Sequence, residues 1–218
     1  MIGDVIMQQI TPLDHIILNF DHGLRTLFGH PLNTTRPNPA KTVEETELSD
    51  TEKLLSARLM RVNHAGEVSA QALYQGQALT ARTVAVRDSM KQSALEENDH
   101  LVWCQSRISK LNGHVSLLNP LWYTGSFTIG AMAGAAGDKW SLGFVAETER
   151  QVVKHLEGHL QRLPDEDLKS RAILEQMKKD EAHHATVAIK AGTALLPKPV
   201  GWLMGRVAKV MTKTAFWI

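Results

Sequence analysis

With one cysteine, two tyrosines and five phenylalanines in 218 residues, the chain has few groups that staple or stack. The single Cys104 excludes an internal disulfide and suits a reducing compartment. Its expected role is that of a small buried hydrophobe on a helix. Aromatic residues make up only 6% and the net charge is +1, with no basic stripe interleaved with stacking rings, so nucleic acid is not an expected partner. A good membrane span is also missing. The one long uncharged run, Val115 to Gly137, has the length for one but is interrupted by glycines and hydroxyl residues. The first residues include acids and no apolar segment with a cleavage site, so no signal peptide is expected and the chain is placed in the cytoplasm. Finally, acids vanish after Glu181, while Lys190, Lys198, Arg206, Lys209 and Lys213 remain.

What is present reads as helix. A composition of 43% hydrophobic and 22% charged residues fits a single globular domain. Thr11-Pro12-Leu13-Asp14 opens a first helix that runs to about Phe28, with Leu13, Ile16, Ile17, Phe20, Leu24 and Leu27 as its apolar stripe. A linker from Pro31 to Thr46, with Pro37 and Pro39, precedes the capping box Ser49-Asp50-Thr51-Glu52. From there helices are expected over about 49–80, 84–111, 139–163 and 165–191, the second ending at Asn112-Gly113 and the last at Gly192. The uncharged run between them is expected to form a hairpin-like crossover that is helical only in part. The organisation expected is an N-terminal helix and linker (1–48), a four-helix bundle (49–194) and a basic amphipathic tail (195–218), all in one domain. In that tail Leu203, Met204, Val207 and Met211 follow helical spacing opposite Arg206, Lys209 and Lys213, with Trp202 and Trp217 suited to an interface. It can lie on an anionic bilayer or pack back on the bundle, and both outcomes stay open.

The chemistry lies in two Glu-x-x-His pairs, Glu97 to His100 and Glu181 to His184. Residues three apart on a helix share a face, so each pair aims a carboxylate and an imidazole the same way. Glu67 precedes the first pair by 30 residues and Glu149 the second by 32. Hairpins that bring each lone glutamate level with its pair must turn near residues 82 and 165. Thr83, a usable N-cap, and Pro164-Asp165 stand at those places. Each carboxylate then lies roughly 22 Å from its turn at about 1.5 Å per residue. Four glutamates and two histidines at one level are the set that holds a metal pair inside a four-helix bundle. Carboxylates with imidazoles and no thiolate suit iron or manganese, and four negative charges balance two divalent cations, which makes the burial tolerable.

Neighbouring polar residues have plainer readings. Glu96, about 100° around the helix from Glu97, is expected to face solvent, as are Glu147, Glu157 and Glu175. His183, His155 and His159 are not expected to be ligands. His64 shares a face with Glu67 and is expected behind the ligands. Tyr74, two turns after Glu67, is expected to be core packing, with a redox-competent phenol as the alternative.

Arg61-Val62-Asn63-His64-Ala65-Gly66-Glu67, the Glu97–His100 pair, Glu149, the Glu181–His184 pair and the ending Met211 to Ile218 together resemble the demethoxyubiquinone hydroxylases, di-iron monooxygenases of ubiquinone biosynthesis. The similarity runs over most of the chain and fills all six ligand positions. It implies an all-α, ferritin-like four-helix bundle with two iron ions per chain. Glu67 and Glu149 would be terminal or shifting ligands, Glu97 and Glu181 bridging ones, and His100 and His184 would bind one ion each. The resemblance further implies O2-dependent hydroxylation of a polyprenyl demethoxyubiquinol ring by a peripheral protein on the cytoplasmic face of the cell membrane. Its expected partners are the quinol, O2, an anionic membrane surface, an electron donor (NADH or a reductase) and a homo-oligomer or biosynthetic complex. A ferritin-like ferroxidase or peroxide scavenger shares the ligand pattern, and so does a di-iron hydroxylase of another substrate. A scaffold in which metal only braces the bundle is the non-enzymatic alternative.

Overall fold

A computed structural model describes residues 12–29 and 36–218. Seven helices follow one another: α1 (Pro12–Phe28), α2 (Asp50–Thr80), α3 (Val84–Lys110), α4 (Asn119–Ala135), α5 (Asp138–Leu160), α6 (Leu168–Lys190) and α7 (Lys198–Trp217). Thr11 as a cap, Pro31 in the linker and the side chains of Leu13 and Ile16 lie outside the described residues. Of the remaining stripe on α1, only Leu27 packs inward, against the cluster of Val68, Ala72, Leu101 and Tyr123, whereas Ile17, Phe20 and Leu24 are exposed.

Hairpins α2–α3 and α5–α6 make the four-helix bundle. The capping box forms as its sequence dictates, with the Ser49 hydroxyl accepting from Glu52 N–H and Glu52 accepting from Ser49 N–H. Thr83 caps α3, and Asp138 at the start of α5 accepts from the N–H groups of Arg82 and Thr83, tying the first turn to the second hairpin. α3 ends where Asn112 adopts φ +55°, in the left-handed region that asparagine tolerates. The second turn falls where expected, although α6 begins at Leu168 rather than near 165: Asp167 caps it by accepting from Ser170 N–H and also pairs with the buried Arg107 of α3.

The crossover is helical in part, as expected, but it is not a hairpin. It forms the 17-residue helix α4, laid along α2. The contact is backbone on backbone: a methyl on Gly130 would come within 2.2 Å of the Leu73 carbonyl oxygen, and one on Gly76 within 2.2 Å of Phe127 O. Thr80 Oγ1 donates across the seam to Ala131 O. Among the described residues no helix is long and apolar enough to cross a membrane.

Two apolar clusters frame the bundle interior. One gathers Leu59, Met60, Trp103, Cys104, Ile173 and Met177, with the Cys104 thiol against the Met177 sulfur. The other holds Tyr74, Met90, Leu142, Val145 and Ala188. At about 1.5–3 kcal/mol for each large side chain fully buried, these clusters offset the cost of the polar layer between them.

Candidate metal centre

Between the clusters, α2 delivers Glu67, α3 Glu97 and His100, α5 Glu149, and α6 Glu181 and His184. All six are buried, none more than 6% exposed. Ligand atoms of Glu67, Glu97, His100 and Glu181 lie within 4.8 Å of one another. His100 Nδ1 stands 2.9 Å from Glu97 Oε2, 3.1 Å from Glu181 Oε1 and 3.6 Å from Glu67 Oε2. His184 Nδ1 stands 3.3 Å from the opposite oxygens, Glu97 Oε1 and Glu181 Oε2. Glu97 and Glu181 therefore each offer one oxygen to either histidine. Glu149 lies beside Glu181 and accepts a short hydrogen bond from the Tyr74 hydroxyl.

This arrangement carries its charge with difficulty. Burial, with the Glu97 charge added, pushes Glu67 well above the usual carboxylate range, and burial with the Glu181 charge does the same to Glu149. Burial opposes ionisation of Glu97 as well, but His100 outweighs it and holds that carboxyl low. Burial also disfavours imidazolium, yet the surrounding carboxylates raise His100 and His184 well above the ordinary histidine value. Protons thus hold together a cluster whose acceptors outnumber its donors, and Glu97 Oε1 and Glu181 Oε1 remain buried with no hydrogen-bond partner. The donor set suits a metal ion: Glu67, Glu97, His100 and Glu181 converge, both imidazoles turn Nδ1 inward and Glu97 and Glu181 reach both histidines.

The outer face of each imidazole is held by an acid from the opposite hairpin. His100 Nε2 lies 3.0 Å from Asp180 Oδ2, and His184 Nε2 lies 2.7 Å from Glu96 Oε2. Carboxylates behind ligating histidines fix their tautomer and orientation. Glu96 therefore does not simply face solvent. Rotation by about 100° takes it off the ligand face, but α6 packs there and brings His184 to it. For Asp180, burial opposes ionisation but hydrogen bonds from His100 and Arg36 outweigh it, and the pKa falls to about 2. Both acids were legible as a pattern, because each Glu-x-x-His pair is preceded immediately by an acid, Glu96 and Asp180.

The other histidines separate as expected or differ in place. His183 is exposed. His64 is buried, with its Nδ1 3.5 Å from the Asn119 amide at the head of α4 and no hydrogen bond to the six among the described residues. Burial pushes its pKa down to about 4. His155 and His159 pack with ring centroids 3.9 Å apart and planes tilted by 58°, and His159 Nδ1 donates to Asn63 Oδ1 at 2.9 Å. Glu147 is half-buried, pairing with Arg150, while Glu157 and Glu175 are exposed.

A groove of about 1480 Å³ opens from the carboxylates towards α7. Glu67, Glu149 and Glu181 line its floor, Asn63, His155 and His159 form a polar patch, and its walls are mostly apolar, including Trp122, Ile129, Phe144 and Val152. Leu203, Val207 and Met211 of α7 also line it, Leu203 and Val207 at its exposed rim.

An all-α bundle that converges four glutamates and two histidines between two hairpins is a ferritin-like carboxylate–histidine protein. Comparison with known proteins narrows this class. The family model described as ubiquinone biosynthesis protein COQ7 matches residues 54–218. A Nitrosococcus oceani protein named 3-demethoxyubiquinol 3-hydroxylase is 61% identical over 97% of this chain and 99% of its own length. Proteins of the same name from Nitrosospira multiformis and Acinetobacter baumannii are 59% and 53% identical, over 94% and 97% of this chain and 99% and 100% of theirs. The chain belongs to the COQ7 family.

Proposed function

We propose that this chain is a 3-demethoxyubiquinol 3-hydroxylase, a di-iron monooxygenase that hydroxylates the ring of a polyprenyl quinol, with Glu67, Glu97, His100, Glu149, Glu181 and His184 holding the iron pair. The observation that carries this reading beyond family membership is the groove. Three of the ligand carboxylates form the floor of a mostly apolar channel large enough for a quinol ring and the first part of its prenyl chain. A ferroxidase or peroxide scavenger would need a polar path for ions or small solutes, and the apolar walls favour the quinol.

Two ferrous ions held by these ligands would supply the electrons and open coordination positions that O2 activation needs. The protein's own part is geometry. Glu97 and Glu181 face both halves, Asp180 and Glu96 keep the imidazoles turned inward, and Tyr74 anchors Glu149. The apolar walls exclude bulk water, which strengthens every polar contact at the floor. His155 and His159 are held neutral by burial, at about 4 and about 2, so the patch beside the floor can donate or accept a hydrogen bond from a quinol oxygen without adding charge. One oxygen atom enters the ring and the other leaves as water, so two electrons are required from a reduced nicotinamide, a reductase or the quinol itself.

A polyprenyl substrate resides in lipid, and we assign the approach to the mouth between α4 and α7. Trp202, Leu203, Val207, Val210 and Trp217 are exposed on α7 beside Lys198, Arg206, Lys209 and Lys213, and Arg206 stacks on Trp202 at 4.9 Å. Such a helix attaches peripherally to an anionic surface, here the cytoplasmic face of the membrane. The single-domain division into an N-terminal segment (1–48), bundle (49–194) and tail (195–218) is part of the same reading.

Anaerobic loading with ferrous iron, followed by demethoxyquinol, a reductant and O2, should give a product heavier by one oxygen atom. Oxidation of bound iron with no such product would replace this reading with a ferroxidase or a hydroxylase of another substrate. Failure to bind two irons would overturn the di-iron assignment itself.

A further inference from the structure

The two halves of the centre differ in what stands behind their histidines. Behind His100, Asp180 is held at both oxygens. Its Oδ2 accepts from His100 Nε2 and in a short bond from Arg36 Nη2, and its Oδ1 accepts from Gln176 Nε2 at 2.9 Å. Arg36 is itself fixed, with Nε 3.6 Å from Asp99 and its guanidinium 5.0 Å above the Trp103 ring, which packs on His100. Behind His184 stands Glu96. Its side chain is 28% exposed against 16% for Asp180, its second oxygen accepts only from Gln92, and no cationic Lys or Arg touches it among the described residues. Arg36 comes from outside the four bundle helices, on the segment that leads into α2.

We propose that Arg36 is a positioning residue that makes the metal position served by His100 the tighter of the two, leaving the position served by His184 to fill last and empty first. A carboxylate gripped by three donors has one orientation, and the imidazole it holds arrives already aimed. Glu96, gripped by two and partly in water, lets His184 turn. Outer partners of ligating histidines are typically worth about 10–100-fold in metal affinity, enough to separate two otherwise similar positions.

The inference rests on the six-ligand reading, so the first readout is whether wild type binds two metals. Anaerobic titration of the full chain with Co(II), whose visible bands report coordination at each position, should resolve two steps. Arg36→Gln should weaken the tighter step about 10-fold or more and leave the weaker one unmoved, so that the steps merge. Glu96→Gln should weaken the other step and widen the gap. Arg36→Lys keeps a charge on Asp180 and should recover much of the loss. Equal weakening of both steps by Arg36→Gln, or no change in either, overturns the proposal. Binding of fewer than two ions by wild type overturns the six-ligand reading beneath it. Melting of the metal-free variants separates folding from affinity, and if Arg36→Gln does not fold, Asp180→Asn carries the same comparison.

Discussion

His159 shows how much of this bundle's behaviour is set by single buried groups outside the ligand set. Burial, with His155 and Arg162 close by, drives its pKa down to about 2, while the unfolded chain takes up a proton near 6.5. The folded state therefore binds fewer protons below that value. The stability His159 contributes is present above pH 6.5 and is lost as pH falls towards the folded value. Compared with His159→Gln, which can keep a donor on Asn63, wild type should lose about 1.4 kcal/mol per pH unit below 6.5. Thermal melts at pH 7.5 and 5.5 check this, and an unchanged gap between the two proteins would contradict it. At this scale the convergence of the six buried side chains was legible because helical spacing and matched hairpin lengths are sequence quantities. Tyr74 was read as core, and it is buried, but its bond to Glu149 required knowing which residue of α5 comes opposite. Glu96 and Asp180 stand visibly before each pair, but which histidine each holds, and that Arg36 joins Asp180, was not legible for the same reason: their partners lie 80 or more residues away.

The helices of the bundle announced themselves through caps and turns, whereas α4 did not. Its inward side carries Tyr123, Phe127, Gly130 and Gly134, while Leu121, Ile129 and Met132 face outward. Hydrophobic periodicity weights large apolar residues, so a helix that buries glycines and exposes leucine reads as no clear helix at all. The glycines are what let α4 lie so close to α2. Gly130→Ala should therefore force the two backbones apart at a cost of about 1–3 kcal/mol, which lowers Tm by about 2–4 °C per kcal/mol in a domain of this size. Differential scanning calorimetry measures it. A variant that melts with wild type would mean the seam is looser than described. Because Trp122 and Ile129 of α4 line the groove, the same substitution should also weaken quinol binding, whereas Gly125→Ala, on the same helix but where a methyl meets nothing, should do neither.

At the scale of the whole molecule, α7 carries exposed rings and cations and also lines the groove. If α7 docks on lipid as proposed, replacing Lys198, Arg206, Lys209 and Lys213 by glutamine should weaken binding to anionic vesicles by about 1 kcal/mol per charge and abolish its salt dependence. Co-sedimentation with anionic and zwitterionic vesicles tests this, and equal binding by both proteins would show that the cations take no part. The tail's helical pattern and charge bias were legible from the sequence. Its position over the groove was not, because nothing local in residues 198–217 specifies which helices it covers. The acid layer has a consequence of another kind. Four glutamates in the middle of a bundle are a defect in the core until cations neutralise them, and the ligands come from positions as far apart as Glu67 and Glu181. If the centre takes metal as proposed, the ions would tie together two hairpins that protons alone hold in the metal-free chain. Metal supply would then set how readily the hairpins part, and limited proteolysis should cut the metal-free chain sooner than the loaded one.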